Sequence, residues 1–447
     1  MDTRTPRALL LYHRPVGVKD ASTVREHIDS FLEFSEYAFV GLNTGLGFPR
    51  WLVKYRFPLI VLHYSLFGSA RYPMEQRFVD YIDACTSSFK VAFFQDEYYF
   101  CPKRYDFIRD HGIDCIFTLL EEQYHDIYRA RTGVESLYHT LTGYVGPQLI
   151  RKANRFARED DHRNVDVFYR GRELPPYTGR AAQEKVFIAK EFKRRASGLG
   201  LDLDIETRES KRLYGDDWYR SLGNSKATLG VEAGVSVFDL DGVVYDEYLR
   251  LAEEHPRSSC REMLDRLAPV MDPWENRVFY RTISPRHFEA SAFRNAQILF
   301  EGHYNGILEP GVHYISLQKD FSNFEDVIRQ FRDGTRRQEV TERAYADLIE
   351  SGAYTYEQFI QGFDRVIESH GIAPWSHRMA GGALLGVRSR RIDAHFRILA
   401  IAAARRSWRL LARFLRTPAG QALWTVLRPI VKPLVNRIRA RRRLKSV

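Results

Sequence analysis

The feature that most constrains this chain is an alternation of short apolar runs with amphipathic stretches, which begins near residue 7 and begins again near residue 165. In the first series the apolar runs are RALLLYH (7–13), YAFVGLN (37–43), PLIVLHYS (58–65), KVAFFQDE (90–97), DCIFTLL (114–120) and a last run over 137–145. Such runs suit strands buried on both faces, and strands of that kind need helices on both sides of their sheet. Helical patterns do lie between them. In STVREHIDSFLEF, Ser22 suits the cap position, and Val24, Ile28, Phe31 and Leu32 fall on one face. Strand–helix alternation predicts a doubly wound parallel sheet with right-handed crossovers.

The polar segment RKANRFAREDDHRN (151–164) breaks the pattern and is expected to be a linker. A second series follows, with strands at VDVFYRG (165–171), LDLDIET (201–207) and ATLGVEA (227–233) and helices at QEKVFIAKEFKRRASGLG and YGDDWYRSLGNS. Helices over 323–332, 340–351 and 356–370 close it. At 447 residues the chain exceeds what one core usually serves. The expected architecture is α/β, with two Rossmann-like doubly wound domains, 1–150 and 165–370, facing a cleft, and a basic helical tail over 371–447. Ligands of open parallel sheets gather outside the carboxyl ends of the strands, so functional residues are sought just after strands.

Charge is unevenly spread. From Gly371 to Val447 there are sixteen Arg and two Lys against the single acid Asp393, a net of +17; the whole chain is +10, so residues 1–370 carry −7. A surface that tracks phosphates along nucleic acid has its basic excess on the folded body, and here the body is acidic, so nucleic acid is not an expected partner. Cys85, Cys101, Cys115 and Cys260 lack close metal-ligand spacing, and Cys85 and Cys115 read as buried thiols. The start MDTRTPRALLLYHRP has too short an apolar core for a signal peptide, and no apolar stretch of about 20 residues is present, so a cytoplasmic setting is expected.

The richest segment is ISPRHFEASAFRNAQILFEGHYNGILEPGVHYISL, from Ile283 to Leu317. It reads as a loop, a short helix carrying Glu289, a buried strand, a turn at Pro310-Gly311 and a second strand, followed by an acidic helix start at 320–326. This order of elements resembles the nucleotide-sugar half of GT-B glycosyltransferases of the group-1 and spore-coat-type families. The resemblance covers roughly residues 7–370. It implies an acceptor-binding first domain, a donor-binding second domain, and a nucleoside-diphosphate sugar as substrate. It implies neither a resident cofactor nor a bound metal.

In that family a Glu at the position of Glu289 accepts from the ribose hydroxyls. Its place just after a loop with Ser284 and Pro285 as helix-start signals favours that reading, and the plain alternative for Glu289 is a helix-dipole role. The family often has a second Glu eight positions earlier; here Arg281 stands there. Arg281 and Arg286 have forked donors suited to a diphosphate, or else are solvated surface arginines. Tyr169-Arg170-Gly171-Arg172 resembles the Gly-Arg that follows this strand in group-1 enzymes, so Arg172 is expected to meet the leaving diphosphate, with Arg180 as the second basic residue. Gly230 and Gly234 would let backbone approach a ligand or simply form a tight turn. On the acceptor side the fourth strand ends in Gln95-Asp96; Asp96 is the candidate general base, with His63 after the third strand a second candidate. Each has a plain alternative, a loop-capping carboxylate and a hydrogen-bonded core histidine.

Phe238-Asp239-Leu240-Asp241-Gly242 resembles the opening signature of haloacid-dehalogenase-type phosphatases, in which the first Asp is the nucleophile. That signature ends the first strand of its domain, whereas this one lies deep in the chain. The same D-x-D also resembles the manganese site of the other, single-domain glycosyltransferase fold. In the tail, Arg405, Arg409, Arg413 and Arg416 share one helical face and Trp408, Leu411 and Leu415 the other. A basic amphipathic helix with an aromatic anchor suits an anionic bilayer surface, so residues 395–445 are expected to hold the protein at the inner face of the membrane, near lipid-linked acceptors. The expected function is glycosyl transfer to a glycan or glycolipid in bacterial surface polysaccharide assembly. The alternatives are a phosphatase using Asp239 and Asp241, or a non-catalytic membrane adaptor.

Overall fold

The computed structural model describes residues 8–15 and 22–374. The expected tail helices and the membrane-facing segment 395–445 lie outside the described residues. No described helix is long and apolar enough to cross a membrane.

The first apolar series forms six strands: β1 (Ala8–Tyr12), β2 (Phe39–Asn43), β3 (Leu59–Leu62), β4 (Phe89–Phe93), β5 (Cys115–Thr118) and β6 (Ser136–His139). They pair in the order β2-β1-β3-β4-β5-β6, every pair parallel. All four residues of β3 are buried, as expected of a strand covered on both faces. The helix Ser22–Glu33 packs Ile28 and Phe31 onto this sheet, with Val24 and Leu32 at the margin.

The second lobe has five parallel strands: β7 (Val165–Arg170), β8 (Leu203–Glu206), β9 (Ser225–Gly230), and β12 (Ala296–Phe300) with β13 (Ile315–Leu317). Their order is β13-β12-β9-β7-β8. Between β9 and β12 the chain leaves the sheet and makes an antiparallel ribbon of β10 (Ala233–Val237) and β11 (Glu275–Thr282). Two helices, Val243–Glu254 and Cys260–Met271, fill the ribbon's loop, the second opened by a Ser259–Glu262 capping box. Two Rossmann-like lobes in one chain are the GT-B arrangement.

Three boundaries differ from expectation. The segment 151–164 is not a free linker, because the helix Pro147–Phe156 takes its first half. Its charges lie on one face, while Leu149 and Ala153 join a core with Phe168, Leu222 and Phe288. The last helix, Tyr356–Ser369, does not belong to the second domain either. Its apolar stripe, Ile360, Phe363 and Ile367, packs against Leu10, Val61 and Phe93 of the first sheet. Asp364 fixes it there, accepting from Ser35 Oγ and the Glu36 amide, both at 2.7 Å. The two lobe-to-lobe passages of the chain meet where the Val145 amide donates to the Tyr354 carbonyl at 2.8 Å. Finally, the strand expected directly after Pro310-Gly311 begins only at Ile315 and spans Ile315–Leu317, because the turn runs on from Gly311 through His313.

Candidate functional site: an interlobe cavity lined by cations

A cavity of about 300 Å³ opens at the carboxyl ends of β7 and β9 and reaches across to the end of β4. Its lining carries Arg170, Arg172, Lys185, Arg212 and Arg286 against one carboxylate, Asp96. Two of these cations are already engaged. Arg170 grips both Asp204 oxygens, at 2.7 and 2.9 Å, and Arg212 pairs with Glu209 at 2.8 Å. Arg172, Lys185 and Arg286 form no ion pair with a carboxylate within 4 Å among the described residues.

Local structure explains how these three converge. Arg172 follows β7 directly after Gly171, where a Cβ would meet the Lys185 carbonyl at 2.8 Å. Glycine there lets the start of the helix Glu184–Arg195 close onto the strand end, which carries Lys185 into the cavity. Crowding by protein lowers the Lys185 ammonium to about 8; the nearby Asp96 opposes that shift, and the charges of Arg286 and Arg172 add to it. Arg286 is the second residue of the helix Pro285–Ala292, whose N-cap Ser284 accepts from the Arg286 amide. Its guanidinium lies 4.9 Å from the Trp218 ring centre and donates to the Arg170 carbonyl.

Glu289 stands behind this wall. Its carboxylate is buried and accepts from Trp218 Nε1 at 2.9 Å, and Trp218 lines the cavity with Leu213 and Leu222. Burial raises the Glu289 carboxyl to about 7, against the pull of Arg286 and the Trp218 hydrogen bond. Gly230 and Gly234 both line the cavity. Gly234 sits at φ +92°, with the Tyr280 carbonyl 2.1 Å from where a Cβ would stand, so it meets a backbone demand of the ribbon as well.

From the first lobe, Asp96 enters at φ +50°, a conformation rare for a non-glycine residue. Water reaches it through the cavity mouth, but protein closes round it on the other sides. That enclosure raises its carboxyl above the usual range, while Lys185, Arg172 and Arg104 draw it down. Its neighbour Glu97 points the other way. It is fully buried, accepting from Thr118 Oγ1 at 2.7 Å, from the Leu119 amide at 2.8 Å and from the Tyr128 hydroxyl.

Three expected site residues lie elsewhere. His63 is a core histidine, with Nε2 3.0 Å from His27 Nδ1 and Nδ1 2.9 Å from Ser65 Oγ. Burial and the facing His27 hold it neutral, far below its ordinary value. Arg180 pairs with Asp272 at 2.7 Å and Glu275 at 3.6 Å outside the cavity, because a short helical turn carries it toward the ribbon. Arg281, on β11, faces Glu184 at 3.6 Å and Glu232 at 3.8 Å, so two carboxylates already answer its charge. Lys185, and not Arg180, is the basic residue that lines the cavity beside Arg172. The available signal was its position in the first turn of a helix that follows a Gly-Arg strand end. Trp218 and Tyr98, also in the lining, carried no such signal.

The phosphatase signature does not form that enzyme's site. Asp239 follows β10, a strand of the two-stranded antiparallel ribbon, not of a parallel sheet. Its Oδ2 accepts the Tyr245 amide at 2.9 Å, capping the helix Val243–Glu254, and Asp241 pairs with Arg131 at 2.7 Å. No cluster of three or more His, Cys, Asp or Glu side chains able to hold a metal occurs among the described residues.

No family model and no curated protein matches this chain. Solved structures are similar to it in shape. An alpha-glucosyltransferase in complex with UDP-glucose and DNA containing an abasic site is 11% identical, with 81% of this chain and 99% of that one covered, at a TM-score of 0.48. HepE of Anabaena in complex with UDP-glucose is 11% identical over 82% of this chain and 100% of its own, at 0.43. AviGT4, a glycosyltransferase of avilamycin A biosynthesis, is 14% identical over 83% and 100%, at 0.41.

Proposed function

We propose that the protein is a glycosyltransferase that takes a sugar from a nucleoside-diphosphate sugar and passes it to a hydroxyl of a glycan or glycolipid. One observation carries the reading: Arg172, Lys185 and Arg286, unpaired by carboxylates, converge between two Rossmann-like lobes opposite a single acid, Asp96. Three cations held in a partly enclosed space suit a diphosphate, and the Trp218, Leu213 and Leu222 wall beside them suits a nucleoside. In the reaction the anomeric carbon–oxygen bond to the diphosphate breaks and its electron pair leaves with the diphosphate, whose charge the three cations hold. The acceptor hydroxyl oxygen bonds to the anomeric carbon, and its proton passes to Asp96, the carboxylate that lines the cavity opposite the cations. Glu289, buried behind the lining, fixes the Trp218 ring by accepting its N–H at 2.9 Å.

A thermal-shift screen against UDP-, GDP-, ADP- and CMP-linked sugars tests this reading. A rise in Tm with one base is expected, lost in Arg172→Ala; no shift with any donor overturns it. Glu289→Ala is expected to cut transfer at least tenfold with the fold intact, since it leaves the Trp218 N–H without its partner. Undiminished turnover would remove Glu289 from the site. The acidic body and the basic residues 395–445 support a further part of the proposal, that the tail brings the enzyme to an anionic membrane for surface-polysaccharide assembly. Deleting the chain after Pro374 is then expected to shift the protein from membrane to soluble fractions, and unchanged fractionation argues against it.

A further inference from the structure

Six aromatic rings form a continuous series of tilted and edge-to-face contacts that begins at the cavity. Tyr98, in the cavity lining, lies 4.9 Å from Tyr99, which lies 4.7 Å from Phe100. Phe100 lies 5.0 Å from Tyr245, and Tyr177 lies 5.0 Å from Tyr245 and 4.9 Å from Tyr248. They come from three separate stretches of chain: the loop after β4, the loop after β7, and the helix Val243–Glu254. All six are partly exposed. Tyr177 and Tyr248 each press on the small core of Val237, Val244, Leu251, Met263, Leu267 and Met271 while part of the ring stays open.

The helix that carries Tyr245 and Tyr248 is tied to the first lobe. The Asp239 amide donates to the Tyr98 carbonyl at 2.9 Å, and Asp241 pairs with Arg131 at 2.7 Å. The ring series therefore crosses from one lobe to the other. The same helix leaves Val243 and Leu249 exposed at 42% and 45%, among the exposed charges of Asp246, Arg250, Glu253 and Glu254.

We propose that this band is an acceptor platform on which successive rings of an oligosaccharide stack, with the chain end delivered to Asp96. The inference rests on the glycosyltransferase reading and adds to it that the acceptor is a glycan several sugars long. Sugar rings present an apolar C–H face that fits an aromatic face, while their hydroxyls need donors and acceptors, which tyrosine phenols supply. Continuity with the cavity fixes the direction, since Tyr98 belongs to both. The surrounding charge separates this occupant from a lipid surface. Asp241 is already paired with Arg131, but Asp246 is exposed on the helix, and a carboxylate there repels an anionic leaflet while leaving a neutral glycan unaffected.

The test uses the full chain and saturation-transfer NMR with cellohexaose, maltohexaose and chitohexaose, and with glucose and N-acetylglucosamine as single-ring controls. At least one hexasaccharide is expected to bind while the single sugars do not. The double variant Tyr245→Ala/Tyr248→Ala is expected to weaken that binding on the order of tenfold, since each lost ring removes a stacking face. Tyr245→Phe/Tyr248→Phe keeps the faces and is expected to retain most of it, which guards against a folding defect in the alanine pair. Nucleotide binding by thermal shift is expected to stay unchanged in both. Binding by no hexasaccharide, equal binding by the alanine variant, or tyrosine-dependent binding to phosphatidylglycerol vesicles overturns the platform. Glycan binding without any nucleotide binding leaves the platform standing and overturns the transferase reading instead.

Discussion

The two lobes share a topology and differ in what stands at their strand ends. In the second lobe, the segments after β7 and β9 are opened by glycines and furnished with Arg172, Lys185 and Arg286, all turned toward one cavity. In the first lobe, the equivalent ends are largely sealed: His63 after β3 is locked against His27, and Glu97 after β4 is saturated by Thr118, Leu119 and Tyr128. Asp96 alone, turned out by a left-handed backbone, brings a first-lobe carboxylate into the cavity. The same fold thus leaves cations facing a cavity in one half and packs its polar groups away in the other, and side-chain partners make the difference.

The sharpest way to break this comparison is to strip the second lobe of its charge. Arg172→Ala combined with Lys185→Ala is expected to weaken nucleoside diphosphate binding by a hundredfold or more, at roughly 1.5–3 kcal/mol for each charged hydrogen bond. Titration calorimetry with UDP and GDP reads it, and an unchanged Kd would place the anion site elsewhere. The first lobe should respond in stability instead. His63→Ala removes a buried ring and unpairs His27, at a cost of about 2–4 kcal/mol in denaturant unfolding, while nucleotide affinity stays as it was.

Lys185 sharpens the contrast through pH. Its ammonium loses the proton near 8, below its ordinary value, and an anion favours the protonated form. Nucleotide affinity is therefore expected to be steady below that pH and to fall as pH rises through about 8, by up to tenfold per unit, a fall that Lys185→Ala abolishes. The smallest effect belongs to Arg180. Its half-exposed pairs with Asp272 and Glu275 are worth about 0–1 kcal/mol, so Arg180→Ala is expected to change stability slightly and nucleotide affinity not at all.

The apolar period was enough to predict both sheets, because a strand covered on two faces must be apolar on both, and a pattern that local is written in consecutive residues. Ser284 and Pro285 likewise announced the helix that carries Arg286 and Glu289. The helix Tyr356–Ser369 shows where that legibility stops. Its stripe was plain, yet its partner, the first sheet, lies hundreds of residues away in the chain.

Site assignments divided on the same ground. Arg172 and Asp96 directly follow strands, and residues at strand ends are carried to the cavity by the sheet itself. Arg180 and Lys185 are five residues apart and chemically alike; only the closing of Lys185 onto Gly171, and the carboxylates Asp272 and Glu275 across from Arg180, separated them. The sequence by itself determined the strands of the two parallel sheets and the chemistry available after them, but not the antiparallel ribbon or the two helices that fill its loop. Tertiary structure alone decided which charges were cancelled by distant partners and which were left facing the cavity, because the partners that neutralise a charge are neighbours in space and leave no local trace in the chain.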